Sequence, residues 1–92
     1  MRTYELVVVV RPTLTEPQRK KLLETVKGWL KDVKVVKEND WGSKALEYKI
    51  KRELTGFYYD FMLETQESVP TDFEKRLIND ENVLRHLLVR TK

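Results

Sequence analysis

His86 is the one imidazole in a chain of 92 residues, and no cysteine accompanies it. The lack of thiols removes disulfides, thiolate zinc sites, iron–sulfur ligation and cysteine nucleophiles together. No carboxylate cluster stands at ligand spacing around His86, so a structural sheet histidine is expected in place of a metal ligand or proton shuttle. Gly28, Gly42 and Gly56 are too scattered to shape a phosphate-cradling loop. The expectation is a non-enzyme with no catalytic residues, no metal and no cofactor.

What remains is charge and apolar surface. Eighteen Lys and Arg oppose fifteen Asp and Glu, a net charge of +3 with 36% of residues charged, against roughly 25% in ordinary domains. So mild an excess does not mark a nucleic-acid binder by itself; where the cations fall decides. A single domain over residues 1–92 is expected. A core of this size buries only about 60–65% of the surface of the unfolded chain, which leaves function to the exterior. The apolar run Leu6–Val10 follows Glu5 and is cut by Arg11-Pro12, too short for a signal-peptide core or a membrane span.

The elements that position these groups follow from periodicity. Tyr4, Leu6 and Val7-Val8-Val9-Val10 predict a strand over 2–11, buried on both faces and central in its sheet. Thr15 and Gln18 form a capping box, Pro17 suits a first turn, and Leu22, Leu23, Val26, Trp29 and Leu30 recur at helical spacing, predicting a helix over 16–31. Gly28 within it costs up to about 1 kcal/mol of propensity. Period-two alternation over 33–50, broken at Asn39-Asp40-Trp41-Gly42, predicts a long irregular strand with a bulge or bend. Residues 51–56 read as a charged turn and 57–64 as an aromatic strand paired with it. Val69-Pro70-Thr71 opens a second helix whose buried side is marked by Phe73, Leu77 and Ile78, with Asn79 as a left-handed stop. Residues 83–90 close as a fourth strand.

The order βαββαβ implies an α+β, ferredoxin-like fold, a four-stranded antiparallel sheet with two helices on one face. Right-handed crossovers put the first and third strands in the middle and the second and fourth at the edges. Parity then divides the faces. Tyr4, Leu6, Val8, Val10, Phe57, Tyr59, Phe61, Leu63, His86 and Leu88 point to the helices. The open face carries Val7, Val9, Tyr58, Met62, Leu87 and Val89, an apolar patch of the kind that meets macromolecules; the plainer alternative is cover by neighbouring Lys and Arg stems. Two other assignments fail. Thr55-Gly56-Phe57-Tyr58-Tyr59-Asp60-Phe61 resembles an RNA-recognition strand, yet Tyr59 and Phe61 fall on the core side, where they cannot stack bases. Small acyl-phosphate hydrolases share this architecture, yet Arg11-Pro12-Thr13-Leu14 has no glycines to form their phosphate loop.

Five segments in order carry a resemblance over almost the whole chain: Met1-Arg2-Thr3-Tyr4-Glu5 before an apolar strand and Arg11-Pro12; Asp40-Trp41-Gly42; Lys44-Ala45-Leu46-Glu47-Tyr48-Lys49-Ile50; Gly56-Phe57-Tyr58; and Asn82-Val83-Leu84-Arg85-His86-Leu87-Leu88-Val89-Arg90. Together they resemble bacterial small-subunit ribosomal protein six. The resemblance implies a cytoplasmic, ribosome-associated structural protein that binds small-subunit ribosomal RNA together with ribosomal protein eighteen, with no membrane and no small-molecule substrate. Glu47 and Lys49 stand where the family's Leu-Ala-Tyr-Pro-Ile has Ala and Pro, and Ala45 replaces a second basic residue. Lys49 can block sheet-to-sheet pairing as that Pro would. The chain stops at Lys92, without the longer tail of some members.

Within that frame, Arg2, Arg85, Arg90 and Lys92 are expected at the RNA surface, because the start of the first strand lies beside the end of the fourth. Trp41, Lys44, Leu46 and Tyr48 on the second strand are expected at the protein partner, with Leu46 and Tyr48 as core residues the rival assignment and Trp41 re-aimed outward by a bulge. The functional alternative is a stand-alone interaction module that uses the open face.

Overall fold

The chain folds as β1 (Arg2–Val10), α1 (Glu16–Gly28), β2 (Val33–Ile50), β3 (Glu53–Thr65), α2 (Thr71–Asn79) and β4 (Val83–Arg90). The computed structural model describes residues 2–30, 32–66, 69 and 71–91. The strands lie in the order β2-β3-β1-β4, every neighbouring pair antiparallel. The sheet, with both helices on one face, has the expected ferredoxin-like topology. The valine run of β1 is flanked on both sides, as a strand without a polar face must be. Leu6, Val8 and Val10 pack with Leu22 and Val26 of α1, Phe73 and Leu77 of α2, and Tyr59, Phe61 and Leu63 of β3 to form the core.

The capping box forms as expected: Gln18 N–H donates to Thr15 Oγ1 and Thr15 N–H donates to Gln18 Oε1 at 2.9 Å. Several expectations need correction. α1 ends at Gly28, with Trp29 as its C-cap, short of residue 31; glycine's low propensity stops the helix there. Ile78 is exposed, because it sits roughly 140° round the helix from Phe73, whereas Leu77 is only about 40° away. Asn79 is not left-handed: among the described residues the positive φ values outside glycine fall at Asp32, Lys51 and Arg52. Pro70, part of the expected helix opening, lies outside the described residues.

The largest correction concerns the hairpin. Lys51 and Arg52 alone turn the chain, at φ 47° and 70°, so β3 begins at Glu53 and not at Phe57. A two-residue turn with both φ positive matches the twist of the strands it joins. Lys51 Nζ donates to the Val83 carbonyl at 2.9 Å, which ties the turn to the start of β4.

Three extra residues shape the sheet. Leu84 is inserted between the pairs Val9–Arg85 and Val10–Val83. Val36 and Trp41 are extra in β2, facing no partner in β3. Val9 does point to the open face, yet it is only 1% exposed. Its Cγ1 fills the space above Gly56, beside Leu84 Cδ1, so Val9 is no part of an exposed patch.

Candidate functional site

The strands lay their residues across the open face in rows. One row reads Gly42, Tyr58, Val9, Arg85; the next reads Asn39, Asp60, Val7, Leu87; the third reads Lys37, Met62, Glu5, Val89. The first row borders a place where β2 leaves its partner. Between Ala45–Thr55 and Ile50–Glu53 four residues of β2 face the single residue Leu54 of β3. The outward bow opens a concavity of about 350 Å³, lined among others by Lys44, Leu46, Tyr48, Tyr58 and Arg85.

The segment Asp40-Trp41-Gly42 sets its rim. The Asp40 carboxylate accepts the Gly42 N–H at 2.8 Å. Gly42 takes φ +75°, which costs glycine nothing. The inserted Trp41 turns outward and is 44% exposed, as a bulge permits. Lys44 Nζ then lies 5.1 Å from the Trp41 ring centre and 5.8 Å from that of Tyr58, within cation–π range. Tyr48 is 63% exposed and Leu46 half-buried. Tyr48 is therefore not a core residue, contrary to the rival assignment.

The residues expected to contact RNA do not form one patch. Arg2 pairs with Thr65, and Arg90 with Tyr4, so both lie at one end of the sheet with the parity of its helix side. Arg85 pairs with Val9 on the open side. The seven residues from Arg2 to Val9 put that row roughly 23 Å from Arg2. Arg85 is instead gathered with Lys44 of the set expected at the partner. Lys92 lies outside the described residues.

Sequence reasoning missed this meeting of Lys44, Tyr58 and Arg85, three residues on three strands. The usable signal was Tyr58 on the open parity two residues after Gly56. A second feature also went unseen. Asp60 is 4% exposed; Asn39 Nδ2 donates to its Oδ2 at 3.3 Å, and its Oδ1 has no hydrogen-bond partner. Glu5 stands diagonally across the β1–β3 ladder on the same face. The hydrogen bond that a protonated Glu5 donates to Asp60, then repulsion by the Asp60 charge, then burial, raise its pKa above the ordinary glutamate value.

His86 faces α2, its Nε2 3.2 Å from Glu74 Oε1, in the structural place expected of it. Among the described residues no three His, Asp or Glu side chains gather as metal ligands, and no helix is long and apolar enough to cross a membrane. Cations beside exposed aromatics bind by charge and stacking: phosphates and bases, or the side chains of a protein.

Comparison with known proteins gives the family. A family model described as ribosomal protein S6 matches residues 3–90. The chain is 39% identical over 90 residues to the small ribosomal subunit protein bS6 of Clostridioides difficile, covering 97% of this chain and 98% of that one. It is 34% identical over 92 residues to the corresponding protein of Bacteroides fragilis, covering 98% and 81%. The crystal structure of 30S ribosomal protein S6 from Thermotoga maritima superimposes with a TM-score of 0.88 at 23% identity, covering 97% of this chain and 86% of that one.

Proposed function

Because the chain belongs to the ribosomal protein S6 family and is thereby a structural component of the small ribosomal subunit, not an enzyme, we propose that it binds small-subunit ribosomal RNA jointly with ribosomal protein eighteen. The observation that carries this reading is the convergence of Lys44 and Arg85 on Tyr58, beside exposed Trp41 and Tyr48. Cations there meet phosphate, while Trp41, Leu46 and Tyr48, with the stem of Lys44, meet the protein partner along the bowed edge of β2. Arg2 and Arg90 serve the RNA from the other end of the sheet, and Lys92 is proposed as a further RNA contact.

A net charge of +3 is small for a free-standing RNA binder, so affinity depends on the partner, the two proteins presenting one composite surface. Binding of a small-subunit RNA fragment, measured with and without ribosomal protein eighteen, tests this. Weak binding alone and much tighter binding with the partner is the expected result; equal affinity in both cases contradicts it.

A further inference from the structure

We infer that the open sheet face receives an arginine side chain from its protein partner, with Asp60 and Glu5 as joint acceptors and exposed Leu87 and Val89 as the bed for the segment that carries it. The inference rests on the partner reading above, and adds to it a second contact area on the face next to the β2 edge.

Asp60 is the starting point. It sits in the middle of the sheet, nearly enclosed, with one carboxylate oxygen held by Asn39 and the other meeting no donor except a proton kept on Glu5. A buried charged oxygen left so costs stability that an Asn or an apolar residue would not. Glu5 makes matters worse, since two carboxyls sharing one site resist double ionisation. A proton kept on Glu5 relieves this in part. An arriving guanidinium relieves it fully, because its flat fork presents parallel N–H donors to two carboxylates at once and sheds its water at lower cost than an ammonium does.

The surroundings select the carrier. Beside the acids β4 places Leu87 and Val89, with Arg85 one row beyond Leu87, and β1 adds Val7; Lys37 of β2 lies in the row of Glu5, across Met62. A phosphate backbone would be repelled by the acid pair, so the occupant is protein, an apolar segment with one arginine. Asn39 is two residues from Trp41, which makes the face continuous with the proposed edge contact.

The test titrates the full chain with a short leucine-rich peptide bearing one central arginine and with the same peptide bearing citrulline, its neutral counterpart. The arginine peptide is expected to bind at least about tenfold more tightly, Asp60→Asn to abolish the difference, and Glu5→Gln to reduce it. Asp60→Asn should melt at the same temperature as the parent or higher, which separates impaired binding from impaired folding. Equal binding of the two peptides, or binding of neither, overturns the inference. Ribosomal protein eighteen binding the parent and Asp60→Asn equally also overturns it, while leaving the partner reading intact. Discrimination between the peptides with no binding of ribosomal protein eighteen sustains the inference and refutes that partner. Weaker RNA binding by Asp60→Asn alone overturns it by assigning the acids to the RNA surface.

Discussion

Val9 Cγ1 lies 2.5 Å from the point that a Cβ on Gly56 would occupy, with the Val10 carbonyl oxygen 3.3 Å away on the same side. Residue 56 must therefore lack a side chain, for want of space and not for its backbone angles. Gly56→Ala should destabilise the protein by about 1–3 kcal/mol through overpacking. Adding Val9→Ala restores room, so the double mutant should be less destabilised than the sum of the two single changes. Strict additivity in chemical denaturation would show that the clash is not the cause.

Trp41 is held at the rim by a bulge, with the Lys44 ammonium over its ring, and does not enter the core. Trp41→Ala should lower affinity for the partner by about 2 kcal/mol, as interface aromatics do, and leave the thermal midpoint within a few degrees. A large fall in midpoint with unchanged affinity would assign Trp41 a packing role.

Two pairs of cations stand at opposite ends of the sheet, Lys44 with Arg85 and Arg2 with Arg90. For every cation–phosphate pairing removed by substitution, the logarithmic salt dependence of RNA binding should flatten by about 0.7–0.9. Sites this far apart should act additively, so the effect of the quadruple alanine variant should equal the sum of the two double variants. An unchanged slope in the Arg2→Ala, Arg90→Ala protein would remove that end from the RNA surface.

The raised pKa of Glu5 fixes the sign of a pH effect. A group that holds its proton more tightly when folded contributes stability that is fully present below its unfolded pKa, near 4.5, and is lost as pH rises through the folded value. The difference in stability between Glu5→Gln and the parent should therefore shift in favour of Glu5→Gln as pH climbs above 4.5. Denaturation of both proteins at several pH values reads this directly; a difference independent of pH would contradict it.

Local chemistry made much of the fold legible. Four consecutive valines admit only a central strand, and Thr15 with Gln18 marked the start of α1 to the residue. The turn was legible from Lys51 on, but its restriction to Lys51-Arg52 was hidden because both residues take positive φ without being Gly, Asn or Asp. The insertion of Leu84 was equally silent, since Val83-Leu84-Arg85 reads as unbroken strand. The sites were least legible of all. Parity placed Tyr58 and Arg85 on the open face one strand at a time, but their meeting with Lys44 depends on the register of β2, which two insertions and the bow after Ala45 reset. The Asp60–Glu5 pair depends on a diagonal across two strands more than fifty residues apart in sequence, which no local pattern records.

The central position of β1 also bears on how the protein is made. Synthesis runs from the N-terminus, so β1 is the first strand to emerge, while β4, one of its two neighbours, is the last. The bond from Thr91 N–H to the Thr3 carbonyl joins the two ends of that interval. Until β4 has been translated, Leu6 to Val10 has at least one open edge, and before β3 emerges two, with a β-branched sequence suited to pairing with other chains. The most apolar strand in the molecule is thus the earliest to be exposed and the latest to be enclosed, and the nascent chain's exposure to aggregation is set by the time needed to translate the residues between them.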